Sequence, residues 1–202
     1  MKIIKLFAAA LALATMSQPA LATSYVGTFD DPGDIAIFNF TVVAPSVVTI
    51  RTFSYAGGVN GAGAVIPLGG FDPIVTLFDE AENFIAYNDD GGLMVGVDPG
   101  TAEHFDAYLA RILDPGNYFV ALTVYPGFPL GHTYADGFFA ATTFDDISGI
   151  SPYNQRNGNW ALDITQAPVP EPATWAMMII GFGFVGGSIR YRRATQVRAA
   201  IA

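Results

Sequence analysis

The sequence predicts an all-β fold: an antiparallel sandwich of about eight short strands, with an apolar helix before it and another after it. Three observations carry this reading. Segments of strand length rich in Val, Ile, Phe, Tyr and Thr recur through the middle of the chain. Clusters of Pro, Gly, Asp and Asn separate them. No stretch of that middle shows a long apolar period of 3.6, so helices belong to the two ends.

Taken in order, strands are expected near Asp34–Val43, Val47–Tyr55, Pro73–Asp79, Asn83–Tyr87, His104–Ala110, Asn117–Val124 and Trp160–Thr165, with a further one near Tyr134–Thr142. The turns between them read Ala44-Pro45-Ser46, Asp79-Glu80-Ala81-Glu82, Asp114-Pro115-Gly116 and Tyr125-Pro126-Gly127. In Asn117–Val124 the set Tyr118, Val120, Leu122 and Val124 shares one face, and this is the better core face. Trp160 alternates with Leu162 and Ile164, which points to core packing. The glycine-rich stretch Ala56–Ala64 has no Lys and no following helix to make a phosphate cradle. It is expected to be a mobile surface loop or a β-bulged crossover.

Charge is divided unevenly. All 18 acidic residues except Glu171 lie between Thr23 and Val169, against three basic ones there, Arg51, Arg111 and Arg156, which leaves −14 where the whole chain carries −9. Such a surface repels nucleic acid and anionic lipid and suits divalent cations or plain solubility. The chain has no cysteine, which excludes disulfides, a thiol nucleophile and thiolate metal sites.

The first 22 residues read as a secretory signal. Lys2 and Lys5 open it, Leu6–Met16 is apolar, and Ala20 and Ala22 supply the small residues that a signal peptidase reads. Cleavage after Ala22 would leave Thr23 as the mature N-terminus; the competing reading is an uncleaved anchor. At the other end, Ala173–Ile189 carries no charge. Its roughly 17 residues would extend about 26 Å as a helix, near the lower limit for crossing a bilayer. Arg190, Arg192, Arg193 and Arg198 follow, and basic residues beyond a span favour the cytoplasmic side. The expected topology holds the body outside the inner membrane and the tail of 194–202 inside. Gly183 and Gly187 have a GxxxG spacing, read either as a helix-dimer face or as a weak spot in a helix that a processing enzyme must bind.

The string Val169-Pro170-Glu171-Pro172-Ala173-Thr174-Trp175-Ala176-Met177-Met178-Ile179-Ile180-Gly181, followed by Gly186-Gly187 and the arginines, resembles the PEP-CTERM sorting signal in its Trp-Ala variant. The resemblance covers 168–193. It implies recognition by an exosortase through Pro170, Glu171 and Pro172, with Trp175-Ala176 marking the variant and Arg190, Arg192 and Arg193 as the stop. It implies cleavage near the Pro-Glu-Pro motif, release or transfer to the cell surface, and a Gram-negative host that makes exopolysaccharide and biofilm. The chain then divides into a signal at 1–22, a sandwich at 23–167, and a sorting segment at 168–193 containing a membrane helix at 173–189.

A second resemblance covers roughly Asp34 to Tyr125. Leu113-Asp114-Pro115-Gly116-Asn117-Tyr118 leading into a core strand is similar to the bacterial pre-peptidase C-terminal domain. So is the hairpin that ends one strand in Leu77-Phe78-Asp79 and the next in Asn88-Asp89-Asp90. This resemblance implies a jelly-roll-like sandwich that accompanies other modules and is seldom itself an enzyme.

Candidate chemistry in the body is sparse. Asp79, Asn88, Asp89 and Asp90, with Glu80 and Asp98 nearby in sequence, offer oxygen ligands from the two ends of a hairpin, the donor type calcium takes. The same residues form turns for backbone reasons alone. His104 and His132 have no spaced partner for zinc, and no Gly-x-Ser-x-Gly elbow occurs. Tyr125, Phe128, Tyr134 and Tyr153 lie in or near Pro/Gly-rich loops, where they could stack on sugar or pack locally. The expected function is a non-catalytic structural or binding module of the cell surface linked to exopolysaccharide. The rival readings are a carbohydrate-binding module and a secreted glycan-acting enzyme.

Overall fold

Val48 and Ile50 alternate with Thr49 and Arg51, and Leu162 and Ile164 alternate with Asp163 and Thr165, so each strand buries one row and turns the other outward. The computed structural model, which describes residues 21–145, 155–169 and 172–199, shows these strands as a two-sheet antiparallel sandwich. The chain separates into two units, a body of Pro19–Val169 and a second unit containing the C-terminal helix.

The strands are β1 Leu21–Thr28, β2 Ala36–Val42, β3 Ser46–Thr52, β4 Gly58–Val59, β5 Val65–Ile66, β6 Pro73–Asp79, β7 Phe84–Asn88, β8 Tyr108–Leu113, β9 Gly116–Val124 and β10 Asn159–Pro168, followed by α1, Pro172–Ala199. The first sheet has the order β1-β10-β3-β8 and the second β2-β9-β6-β7, while β4 and β5 pair with each other. The chain passes back and forth between the two main sheets, which is the winding of a double-sheet jelly roll.

The core lies between the sheets. Val48, Ile50, Leu109, Leu113, Trp160, Leu162 and Ile164 come from the first; Phe38, Val42, Val75, Leu77, Val120, Leu122 and Val124 come from the second. The predicted face of β9 is the observed one, with Tyr118 packed at its margin. Trp160 is buried, its ring 5.4 Å from that of Phe38 and 5.8 Å from that of Phe29. The facing position on β1 is Gly27, where an added Cβ would stand 2.3 Å from the indole, so only glycine lets β1 approach this closely.

Four expectations are corrected. First, the strand expected at Tyr134–Thr142 is a single 3-10 turn at Tyr134–Asp136, because Thr133 and Asp136 cap it reciprocally and Gly137 leaves it at φ 77°. Second, the strand expected at His104–Ala110 begins only at Tyr108, because Asp106 turns its carboxylate onto the backbone of residues 54–56. Third, the glycine-rich stretch is the β4–β5 hairpin, whose Ile66 is buried with Phe53 and Ala161 on the outer face of the first sheet. Fourth, the membrane-spanning helix expected at 173–189 is not supported. No helix among the described residues is long and apolar enough to cross a membrane. α1 continues through Arg190, Arg192 and Arg193 without a break, so its uncharged part is confined to the residues before Arg190. The expected signal segment at 1–20, Ala20 included, lies outside the described residues.

Candidate functional site: the body and its sorting segment

The proposed calcium set is divided by the hairpin that carries it. Asn88 pairs with Val75, whereas Asp79 lies four residues further along β6, a separation of about 13 Å at ~3.3 Å per residue. Ligands of one calcium ion must converge on a point about 2.3–2.6 Å from each oxygen. Asp79 is also engaged elsewhere: Asn83 donates its backbone N–H to Oδ1 (2.8 Å) and its Nδ2 to Oδ2 (3.0 Å). Asn88 Oδ1 accepts from the Tyr108 N–H at 2.7 Å, tying β7 to β8, and its Nδ2 donates to the Asp90 carbonyl. Asp89 Oδ1 accepts from the Asp90 N–H at 3.1 Å. Burial, then the charges of Asp89 and Glu103, push the Asp90 carboxyl up. Among the described residues no group of three or more His, Cys, Asp or Glu is placed to hold a metal ion.

The hydrogen bonds from Asn83 hold the Asp79 carboxyl below the ordinary 3.8, and those from Thr133 do the same for Asp136. A carboxyl lowered by folding adds stability above its unfolded value and loses it as pH falls through the folded one. The Asn83 and Thr133 amides should therefore stay hydrogen-bonded at neutral pH. Their NMR shifts should follow an acid titration whose midpoint lies below the 3.8 of an unfolded carboxyl; a midpoint at or above it would contradict these bonds.

The loop aromatics pack among themselves. The Tyr134 ring lies 5.7 Å from that of Phe78 and 5.5 Å from that of Phe119, and Phe128 lies 5.5 Å from both Tyr87 and Tyr125. Tyr125, Phe128 and Tyr134 are half-buried by these contacts; Tyr153 lies outside the described residues. His104 Nδ1 is 3.1 Å from the Gly96 carbonyl, and the His132 carbonyl accepts from the Phe84 N–H.

Sequence reasoning missed a buried polar network at one end of the sandwich. Arg156 donates from Nη2 to Asp98 Oδ2 at 2.8 Å and from Nη1 to the carbonyls of Tyr55 and Gly70, with its guanidinium 3.3 Å from the Tyr55 ring centre. Asp106, also buried, accepts from Thr52 Oγ1 and from the N–H groups of Ser54, Tyr55 and Ala56. Burial pushes its carboxyl up against the pull of those four bonds. The only sequence signal was that Arg156 is one of three cations in an acidic body.

The sorting segment begins where the sandwich ends. Strand β10 lies between β1 and β3, and its last residue, Pro168, is in register with Ser46. The Val169 N–H then donates to the Pro45 carbonyl at 2.8 Å. Pro170 and Glu171 lie outside the described residues. Pro172 opens α1, the position where a missing N–H costs nothing. Trp175 and Ala176 follow on its first turns, both exposed. The expected signal cleavage point falls within β1, where Ala22 pairs with Thr165 and Thr23 with Ile164.

Residues 168–193 match the PEP-CTERM protein-sorting motif. The chain carries a PEP-CTERM sorting tail. Such a tail implies export with processing by an exosortase and marks a protein anchored at the membrane. No curated protein matches the chain. Among solved structures it is similar to the pre-peptidase C-terminal domain of a collagenase from Bacillus anthracis, at 14% identity over 72% of this chain and 89% of that one, with a TM-score of 0.36. The PEP-CTERM tail therefore carries the functional reading, and the sandwich must be read from its own residues.

Proposed function

We propose that this is a Gram-negative cell-surface protein. A signal peptidase trims it after Ala22, an exosortase processes it near Pro170-Glu171-Pro172, and its sandwich serves the exopolysaccharide matrix as a non-catalytic structural or binding module. One observation carries the proposal: among the described residues the strand pairing of the body runs to Pro168, with one further bond at Val169, so a cut near Glu171 leaves every strand pair of the sandwich in place. Cleavage after Ala22 is similarly mild, since it removes two residues from the end of an edge strand whose other six pairs remain.

The non-catalytic part rests on the carboxylates. Glycoside hydrolysis needs two of them about 5–5.5 Å or 6.5–9.5 Å apart across a cleft. Glu80 and Glu82 border an open groove of about 480 Å³ beside β2 and β9, but both come from the one β6–β7 turn and not from facing walls; Asp163 is the one carboxylate lining the groove on the first sheet.

Intact mass and terminal peptides of the protein recovered from its host's envelope and medium test the sorting. The expected chain begins at Thr23 and ends near Glu171. Recovery of a chain still carrying Arg190–Ala202 as the only form would defeat it. Deleting the exosortase should convert the short form to the long one.

A further inference from the structure

The outer face of the first sheet carries a polar row that its register sets. Tyr108 on β8 pairs with Arg51 on β3, Arg51 with Asp163 on β10, and Asp163 with Ser24 on β1. All four point away from the core, since Ile50, Leu109, Leu162 and Ile164 point into it. The β4–β5 hairpin lies over one end of this row. Its Gly61 N–H donates to Asp163 Oδ2 at 2.6 Å, and its Asn60 shapes the turn by accepting from the Ala64 N–H at 2.8 Å. Sheet and hairpin together enclose an open groove of about 330 Å³, floored by Thr49, Arg51 and Thr165 and flanked by Tyr108.

Three of the residues lining this groove each keep a buried polar atom without a hydrogen-bond partner: Arg51 Nε, Asn60 Nδ2 and Asp163 Oδ1. Asn60 is 5% exposed and Asp163 8%. A polar cluster of purely structural origin closes on itself, because an unsatisfied buried group costs stability. Here Arg51 and Asp163 face each other in register without forming an ion pair; among the described residues the only ion pair is Arg156–Asp98. The Arg51 guanidinium is drawn instead over the Phe53 ring, 4.7 Å from its centre.

We propose that this groove binds a neutral saccharide through a pair of adjacent hydroxyls. The inference deepens the reading of the sandwich as a matrix-binding module and rests on it. The unused groups are two N–H donors and one carboxylate acceptor. A hydroxyl both donates and accepts, so once the Arg51 guanidinium swings off the Phe53 ring and opens these groups to the groove, one sugar hydroxyl satisfies Arg51 Nε and Asp163 Oδ1 together while its neighbour accepts from Asn60 Nδ2. The charges of Arg51 and Asp163 offset each other, which disfavours phosphate and cationic ligands. The groove is open along the sheet, so it admits a unit within a polymer as well as a free sugar. Tyr108 offers an aromatic flank to the C–H face of the ring.

The test uses the full-length chain in a mild detergent and saturation-transfer NMR. The probes are cellotetraose, laminaritetraose, mannotetraose and galactotetraose, with a uronic-acid tetrasaccharide and inorganic phosphate as charged comparisons. At least one neutral tetrasaccharide should bind, and Arg51→Gln and Tyr108→Ala should each weaken it tenfold or more with the thermal midpoint unchanged. These two outward-facing variants are chosen because Asp163→Asn would also disturb Gly61. Binding by none of the four, undiminished binding in both variants, or preference for the uronic acid or phosphate would each overturn the proposal. Tail processing plays no part in this readout. If the host yields the processed protein but the full-length chain binds no neutral sugar, the groove alone is overturned; if the full-length chain binds but the host yields only the form that keeps its tail, the sorting alone is overturned.

Discussion

Substituting Asp98 with Asn should cost the body about 3–5 kcal/mol, the usual consequence of removing one partner from a buried ion pair. The change is nearly isosteric and keeps an oxygen for the Gly100 N–H, which Asp98 Oδ1 accepts at 2.7 Å. What it removes is the charge facing Arg156, and both side chains are almost wholly enclosed, at 1% and 2% exposure. The guanidinium then remains in a low-dielectric site with only two carbonyls and the Tyr55 ring for compensation. Arg156→Met should cost a similar amount for the opposite reason, because it strands the carboxylate and withdraws a donor from Gly70 O. The double variant Asp98→Leu/Arg156→Met should cost clearly less than the sum, since no lone charge remains. Urea denaturation followed by far-ultraviolet circular dichroism measures all three. A loss below about 1 kcal/mol for Asp98→Asn would mean that water reaches the pair and screens it as at a surface.

Asp106→Ala should be about as damaging. Its carboxylate accepts from Ser54 N at 2.6 Å, Ala56 N at 2.9 Å and Thr52 Oγ1 at 3.0 Å, and Tyr55 N lies at 3.3 Å. Each buried donor left unsatisfied costs about 1–3 kcal/mol, and such losses do not add fully, so about 3–5 kcal/mol in total is expected. The damage should be directional. Residues 52–56 form the corner from which β3 leads into the β4–β5 hairpin, so hydrogen exchange should accelerate at Ser54 and Ala56 and across the hairpin before it does in β6 or β9. Asp106→Asn should fall between wild type and Ala, because its amide oxygen still accepts while its NH2 opposes the remaining N–H donors. Uniform acceleration across both sheets would show that Asp106 supports the whole sandwich and not this corner.

Strands with a clean apolar alternation, or in β6 a continuous apolar run, were legible in the sequence. β3, β6, β9 and β10 lie where Val48-Thr49-Ile50, Ile74–Phe78, Val120–Val124 and Trp160–Ile164 placed them, because local pattern and burial agree there. β1 escaped because Ala20-Leu21-Ala22-Thr23 also spells a cleavage site, and the small residues that suit a peptidase suit an edge strand equally well. The β4–β5 hairpin escaped because its glycines carry no period; its place is fixed by the long-range bond from Gly61 to Asp163. The acidic residues misled for a related reason. Asp79 and Asn88 are close in sequence, but a hairpin brings together residues equidistant from its turn, and these two are not. The sorting motif was fully legible, since an enzyme reads it as a linear string. The groove was not, since Tyr108, Arg51, Asp163 and Asn60 meet only through register across three strands and a hairpin.

The place of β10 bears on the order of events during synthesis. It is the last strand of the body to be made, yet it lies between β1 and β3, which do not touch each other without it. A nascent chain that ends before residue 159 therefore has a first sheet split into a solitary N-terminal ribbon and a β3–β8 pair, each with open edges that invite pairing with other chains. Pairing of β1 with β10 spans nearly the whole body, the kind of distant contact that forms late. Completion of the sandwich and appearance of the Pro-Glu-Pro motif are thus almost simultaneous, so the tail reaches its processing enzyme only on a chain that already holds every strand needed to close.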